Sequence, residues 1–129
     1  MAAEFGRRST AEQVTEGVDL TGKTALVTGV NSGIGTETMR VLALRGAHVV
    51  GTARTLDKAT LAAASVPGNV TPMACERTDL DDVRRAAVEI TVKAPKIDIL
   101  IANAGIMALP KLEQVNGLEK QFVVNHFGH

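Results

Sequence analysis

Residues 24–35 read TALVTGVNSGIG: an apolar run, three glycines spaced Gly-x-x-x-Gly-x-Gly, and the start of a helical pattern. A strand, a tight glycine turn and a helix start, in that order, form a cradle for a nucleotide pyrophosphate. Gly29 lets the chain leave the strand sharply, Gly33 lets phosphates approach the backbone, and Gly35 lets helix and strand pack closely. The helix N-terminus adds free N–H groups and a positive dipole end. This stretch therefore predicts a dinucleotide-binding turn.

The hydrophobic periodicity of the remaining chain predicts strands that alternate with helices. The predicted strands are 24–28, 48–52, 70–75 and 97–102, and the predicted helices are 11–16, the segment from the glycine turn to Arg45, 56–64, 81–94 and a last one from about Leu118. Pro72 indicates an outer position for the third strand, since proline cannot donate to a ladder. The alternation predicts an α/β fold with a doubly wound parallel sheet.

Two helices carry apolar residues at helical spacing. In the second helix we expect Ile34, Thr38, Val41, Leu42 and Arg45 to face the sheet. In the fourth we expect the same of Val83, Ala86, Ala87 and Ile90.

Composition narrows the function classes. Hydrophobic residues make up 45% of the 129 residues and aromatic ones 2%, so small aliphatic side chains must build the core of a buried parallel sheet. The net charge is zero, which does not indicate nucleic acid or an acidic membrane surface as a partner. No apolar run approaches the roughly 20 residues of a membrane span.

Cys75, the one cysteine, cannot form an internal disulfide, and the N-terminus lacks the apolar segment of a secretory signal. We expect a cytoplasmic protein, with Cys75 in the core.

Four motifs follow one another along the chain: TGVNSGIG at 28–35, DL at 79–80, NAG at 103–105 and Asn125-x-x-Gly128. Together they resemble the classical short-chain dehydrogenase/reductase family, from about Asp19 to the last residue. The stretches 9–17, 41–49 and 125–129 are similar to the branch with the retinol dehydrogenases, the WW-domain oxidoreductase and the chloroplast-envelope short-chain dehydrogenases.

The resemblance implies a Rossmann-type sheet in the order 3-2-1-4, truncated here after the fourth strand and part of the following helix. A tail and short helix at 1–18 would precede an incomplete dinucleotide-binding domain at 19–129. The implied activity is hydride transfer between NADP(H) and a small alcohol or carbonyl substrate. Homo-oligomerisation is left open for the full-length parent.

The resemblance also implies a set of cofactor-binding residues. They are Thr28, Gly29, Asn31, Ser32, Gly33, Ile34, Gly35, Arg54, Asp79, Leu80, Asn103, Ala104 and Gly105.

Arg54 bears on the choice of cofactor. It lies 19 residues after Gly35, at the end of the second strand, where an acid would accept hydrogen bonds from the ribose hydroxyls of NAD. A guanidinium can instead bind the 2′-phosphate of NADP. The alternatives are a solvated surface arginine and, for the nearby Lys58, either assistance to Arg54 or an ordinary helix charge.

Two further segments have a functional and an ordinary interpretation. Asp79 would accept the adenine amino group beside the Leu80 backbone, or it would simply cap the following helix. The segment 103–105 would lie along the cofactor, or form a generic turn after the fourth strand.

Asn125 matches the family's fourth catalytic position, where its backbone bends a helix and binds a water in a proton relay. In isolation it would be a poor helix former. The sequence contains no tyrosine, whereas the family uses a Tyr-x-x-x-Lys pair, so the chain resembles an N-terminal fragment without family chemistry. The alternative function is a non-catalytic nucleotide-binding module. His48, His126 and His129 lack companions at ligand spacing, so no metal site is expected.

Overall fold

The computed structural model describes residues 5–129. Four parallel strands form one sheet in the order β3-β2-β1-β4. The strands are β1 (Thr24–Thr28), β2 (His48–Ala53), β3 (Val70–Ala74) and β4 (Ile99–Ile101). The helices are α1 (Ala11–Val14), α2 (Gly33–Leu44), α3 (Leu56–Ala64), α4 (Leu80–Lys93) and α5 (Lys120–Phe122), which continues as a π-helical turn over Val123–Phe127. The predicted α/β class and strand order are confirmed.

Side-chain alternation on β1 and β2 divides the core into two clusters. Val27 and Val49 join Met39 and Ala43 of α2 in one cluster, which Ala62 of α3 completes. Leu26, Val50 and Met73 pack against Ile90 of α4 in the other. Helices therefore cover both faces of the sheet, as a doubly wound fold requires.

Capping residues set the helix ends. At α1, the Thr10 hydroxyl accepts from the Gln13 N–H and the Gln13 side chain accepts from the Thr10 N–H, which confirms the capping box. After α2, Gly46 adopts φ +94°, a left-handed conformation that ends a helix at low cost. The α1 segment is held against α2 by the Arg45 guanidinium, which donates to the Glu12 carbonyl and the Thr15 hydroxyl.

The helix faces differ from the predicted ones at particular residues. Ile34 is 78% exposed, because it lies in the first turn of α2, beyond the edge of the sheet. The buried positions of α2 are Gly35, Met39, Val41 and Ala43, so Val41 is buried as predicted. In α4, Ala86 and Ile90 are buried as predicted, but Ala87 is exposed.

The β4 strand is shorter than predicted and lies at an edge of the sheet. It pairs only with β1 in the described sheet, and Leu100 is 67% exposed. Asp98 precedes the strand, and its carboxylate accepts the Thr24 N–H at 3.0 Å. The Lys96 ammonium, 2.9 Å away, is the main reason that the pKa of Asp98 lies below its usual value.

The last predicted helix begins two residues late because a hairpin precedes it. Strands β5 (Gln114–Val115) and β6 (Leu118–Glu119) are antiparallel. Asn116 and Gly117 connect them with φ of 51° and 80°. An Asn-Gly pair between apolar residues is a strong hairpin signal, and hydrophobic periodicity alone does not detect it.

Candidate functional site

A cleft of about 600 Å³ lies at the carboxyl ends of the parallel strands. This is the edge at which ligands bind in open α/β sheets. The predicted residues that line it are Gly29, Asn31, Ser32, Gly33, Ile34, Gly35, Arg54, Asn103, Ala104 and Gly105. Thr28, Asp79 and Leu80 are outside that lining.

The three glycines of the turn occupy different environments. Gly29 has φ +71°, and a Cβ there would lie 2.6 Å from the Ala104 Cβ. At Gly35 a Cβ would collide with the Gly29 carbonyl oxygen, so the helix packs directly on the turn. At Gly33, with φ +55°, an added Cβ would meet no described atom within 4 Å. Gly33 thus borders open cleft space.

The N-terminus of α2 opens onto this space. Ser32 is the N-cap residue, and its hydroxyl makes no capping hydrogen bond within the described chain. The N–H groups of the first helical turn have no intrahelical acceptor. Because Gly33, Ile34 and Gly35 line the cleft, this end of α2 is suited to an anionic group.

Hydrogen bonds join the glycine turn to the segment after β4. The Asn103 side-chain amide donates to the Thr28 carbonyl at 2.9 Å and the Gly29 carbonyl at 3.2 Å. The Ala104 N–H donates to the Thr28 hydroxyl at 3.0 Å. Asn103 and Thr28 therefore fix the relative position of two cleft walls.

The segment after β3 reaches the cleft earlier than predicted. Residues 75–78 line it, whereas Asp79 caps α4 by accepting the N–H groups of Asp81 and Asp82 at 3.0 and 3.3 Å. The capping alternative is therefore what the structure contains, and the adenine contact of Asp79 and Leu80 stays a prediction. Sequence reasoning missed Glu76, Arg77 and Thr78. The change from apolar VTPMAC to polar ERTD at 70–79 was an available signal, since it marks the strand end.

Charged side chains surround the mouth of the cleft. Arg54 follows β2, its side chain is 64% exposed, and its Nε lies 3.8 Å from Oε2 of Glu76. Lys58, Arg77 and Lys120 also line the cleft. Cations predominate, so the cleft attracts anions.

Cys75 is half-buried and lines the cleft, so the expectation that it belongs to the core was wrong. The chain leaves the sheet after Ala74, which brings the next side chain to the edge. Burial raises the pKa of the Cys75 thiol, and the Asp82 carboxylate adds to that rise.

Arg77, His129 and Thr28 form a polar cluster beside the cleft. The His129 Nε2 lies 3.0 Å from Nη1 of Arg77 and 2.9 Å from the Thr28 hydroxyl. A guanidinium only donates, so Nε2 accepts and the imidazole proton is assigned to Nδ1. Burial lowers the pKa of both Arg77 and His129.

Asn125 lies in the π-helical turn, a kind of irregularity that often marks functional sites. Its Oδ1 accepts the Ile106 N–H and its Nδ2 donates to the Ile106 carbonyl, each at 2.8 Å. It therefore clamps the segment that follows Gly105, and it does not itself line the cleft.

Residues 5–129 contain no cluster of three or more histidine, cysteine or acidic side chains with metal-binding geometry. None of the helices in this part of the chain has the length and apolarity needed to cross a membrane.

The model of the short chain dehydrogenase family matches residues 23–129. The chain belongs to this family. Short chain dehydrogenases are oxidoreductases that bind a nicotinamide cofactor and act on small molecules. The resemblance inferred from the sequence motifs is thereby confirmed.

The relatives of this short chain dehydrogenase include the branch indicated by its motifs. It is 41% identical to a WW domain-containing oxidoreductase of Drosophila melanogaster, over 97% of this chain and 32% of that protein. It is 38% identical to human retinol dehydrogenase 13, over 84% and 34%. A chloroplastic short-chain dehydrogenase TIC 32 B of Brassica napus is 39% identical, over 97% and 41%. The chain spans about a third of the length of the first two relatives.

Solved structures agree with this assignment. A Mycobacterium paratuberculosis protein shares 40% identity with a TM-score of 0.78, over 87% of this chain and 40% of that one. A metagenomic short-chain oxidoreductase in complex with NADP shares 33% identity with a TM-score of 0.59, over 67% and 41%.

Proposed function

We propose that this chain is the cofactor-binding part of an NADP(H)-dependent oxidoreductase that transfers hydride between the nicotinamide and an alcohol or carbonyl. The observation that carries the proposal is the open space beside Gly33, at the uncapped N-terminus of α2. The bound dinucleotide would supply the hydride chemistry. The protein would supply binding, orientation and electrostatics.

The residues present fit a dinucleotide. Gly33 and the first-turn N–H groups of α2 would hold the pyrophosphate. The segment 103–105, fixed by Asn103, would form the wall along which the cofactor lies. Asn31, Ser32 and Ile34 would line the path between these positions.

Arg54 supports NADP over NAD. Its guanidinium is exposed at the mouth of the cleft, and the residue that directly follows β2 is this arginine and not an acid. Lys58 lines the same cleft and would add positive charge. A solved structure that is 33% identical to this chain is a complex with NADP. This complex motivates the proposal of NADP for the present chain.

Asn125 would act as a positioning element of the parent enzyme. Its clamp on Ile106 sets the path of the chain after Gly105, next to the cofactor wall. The adenine amino group would be accepted near the end of β3. Asp79 and Leu80 remain the proposed contact from the motif, and the nearer carboxylate in the cleft is Glu76.

The absence of tyrosine favours a second function for the 129-residue chain taken by itself. Without a phenol it has no family proton donor and would bind nucleotide without catalysis. In this proposal residues 19–129 form the incomplete cofactor domain and residues 1–18 a separate N-terminal segment, of which α1 packs against α2.

We propose that the protein is cytoplasmic and that the parent enzyme acts on a small-molecule substrate. A homo-oligomer of the parent is compatible with this proposal. A single cysteine without a partner thiol suits a reducing compartment. Fractionation of cells that express a tagged chain tests the location.

The proposed function is tested by calorimetric titration of the purified chain with NADPH and with NADH. We expect saturable binding of both, with NADPH the tighter ligand. A chain that is folded by circular dichroism and binds neither dinucleotide would contradict the proposal.

A further inference from the structure

The Glu76 carboxylate is held in a defined orientation at the end of β3. Its Oε1 accepts the Thr78 N–H at 3.0 Å and the Thr78 hydroxyl at 2.8 Å. The Glu76 N–H donates to an Asp82 oxygen at 2.7 Å, which fixes the backbone as well. With Oε1 engaged by Thr78, Oε2 is the oxygen that faces Arg54.

The position of Arg54 relative to Glu76 follows from the sheet register. Ala53 of β2 pairs with Ala74 of β3, so the two chains leave neighbouring strands at the same level. Arg54 is the first residue after β2, and its Nε lies 3.8 Å from the Glu76 Oε2. An exposed pair at this distance interacts weakly. It can exchange for a more highly charged partner.

Glu76 is the one acidic side chain that lines the cleft within residues 5–129. The cationic lining residues are Arg54, Lys58, Arg77 and Lys120. A phosphate that binds Arg54 from the cleft therefore approaches one fixed negative charge, the Glu76 carboxylate. That carboxylate lies beside the guanidinium to which the phosphate would bind. Like charges at such distances repel.

We propose that Glu76 is a specificity-determining residue that competes with the ribose 2′-phosphate of the cofactor for Arg54. By occupying the guanidinium and repelling the phosphate, it limits the preference for the 2′-phosphorylated nucleotide. The inference rests on the proposed function and adds a residue that opposes Arg54 in setting cofactor selectivity.

The substitution Glu76→Gln isolates the charge. The glutamine amide oxygen can still accept the two hydrogen bonds from Thr78, so the local fold is preserved. It can also accept from an adenine amino group, an effect that would be equal for ligands with and without the 2′-phosphate. Only the repulsion and the competition for Arg54 are removed.

The test compares two probes, adenosine 2′,5′-bisphosphate and adenosine 5′-monophosphate, by calorimetry on the 129-residue chain. We expect Glu76→Gln to tighten the bisphosphate relative to the monophosphate by up to about fivefold, the upper end for an exposed charge pair. The matched control is Glu89→Gln, which removes an α4 carboxylate that pairs with Arg85 at 2.9 Å outside the cleft. It should change neither affinity.

A double variant shows whether the effect passes through Arg54. In an Arg54→Met background, Glu76→Gln should lose most of its selective gain. An equal affinity ratio in wild type and Glu76→Gln, a ratio that falls, or a full gain without Arg54 would overturn the inference alone. A folded wild type that binds neither probe would overturn both this inference and the proposed function.

Discussion

At the scale of single residues, the glycines of the turn meet two different requirements: close packing of the backbone, and open space for a ligand. Gly29 and Gly35 are enclosed by Ala104 and by the turn itself, so any side chain there disturbs packing. Gly33 differs, because the volume next to its Cα belongs to the cleft.

We predict that Gly33→Val abolishes NADPH binding, since the branched side chain would fill the approach to the α2 N-terminus. The residue has φ +55°, so the substitution also costs about 1–2 kcal/mol of folding stability. Calorimetry measures the first effect and thermal melting the second.

Gly17→Val is the matched control for this strain. Gly17 has φ +77° and open space around it, and it lies outside the cleft. It should lower stability similarly while NADPH still binds. Unchanged NADPH affinity in Gly33→Val would refute the assignment of the turn.

Arg54 carries the second residue-scale prediction. Arg54→Asp should reverse the preference from NADPH to NADH, because a carboxylate repels the 2′-phosphate and accepts from the ribose hydroxyls. Titration of both dinucleotides measures the ratio, and Arg8→Asp serves as an exposed control outside the cleft. Equal affinities in the wild type, or an unaltered ratio in the variant, would contradict the role of Arg54.

The glycine turn could be found in the sequence because backbone geometry restricts residue type there. Arg54 could be found because its place follows from the distance between that turn and the end of the second strand. Glu76 could not be assigned in the same way. Its place in the cleft depends on the residue at which β3 ends, and strand ends are poorly determined by periodicity. Cys75 was misplaced for the same reason.

At the scale of elements, the π-helical turn and the segment after β4 are coupled through one side chain. Asn125 makes two hydrogen bonds to the Ile106 backbone. We predict that Asn125→Ala lowers the free energy of unfolding by about 0.5–1.5 kcal/mol, since both Ile106 backbone groups exchange the amide partner for water. Chemical denaturation gives this value, and hydrogen exchange at the Ile106 amide should accelerate.

Gln121→Ala gives a graded comparison within the same region. It removes the acceptor of the Ala108 N–H at 3.0 Å and a donor to the Glu119 carboxylate. Because only one backbone group loses its partner, the effect should be smaller. Exchange in α4 should not change in either variant. Equal hydrogen-exchange rates at the Ile106 amide in Asn125→Ala and the wild type would show that these two hydrogen bonds do not stabilise the segment after β4.

Element prediction succeeded where local signals and tertiary packing agreed. The Thr10 capping box, the Gly46 helix end and the outer position of Pro72 are all confirmed. The sheet-facing role of Ile34 was wrong because periodicity gives a face and not where the sheet stops. The hairpin around Gly117 was missed because a short antiparallel pair has too few residues for a periodic signal.

At the scale of the whole molecule, the apolar β4 edge is the main exposed liability within the described residues. Leu100 is 67% exposed on a strand with one unpaired side. We predict that the purified chain self-associates and that Leu100→Lys shifts it toward monomer, because a charged edge disfavours strand addition.

Light scattering over a concentration series measures this association. Leu61→Lys is the matched control, since Leu61 is 73% exposed on α3, away from the strand edge. A monodisperse wild type, or equal improvement by both lysines, would argue against the edge as the cause.

The chain as a unit should also be catalytically silent. It contains no tyrosine, and general acid–base catalysis typically contributes about 10²–10⁴-fold in rate. NADPH oxidation with a panel of aldehydes and ketones should stay at the background rate. Robust turnover would imply a proton donor among residues not assigned that role.

The overall architecture was predictable because alternating strands and helices admit few topologies, and right-handed crossovers leave fewer. The strand order depended on family resemblance, since nothing in the periodicity of β4 distinguishes a neighbour of β1 from a neighbour of β3.

That strand order determines how the sheet can grow during synthesis. β1, β2 and β3 are consecutive in the chain and adjacent in space, whereas β4 joins the opposite side of β1, with Val27 pairing to Ile101. A nascent chain emerging from the ribosome can thus assemble three strands in their order of translation. The other edge of β1 then stays unpaired, and accessible to solvent and chaperones, until residue 101 has left the exit tunnel.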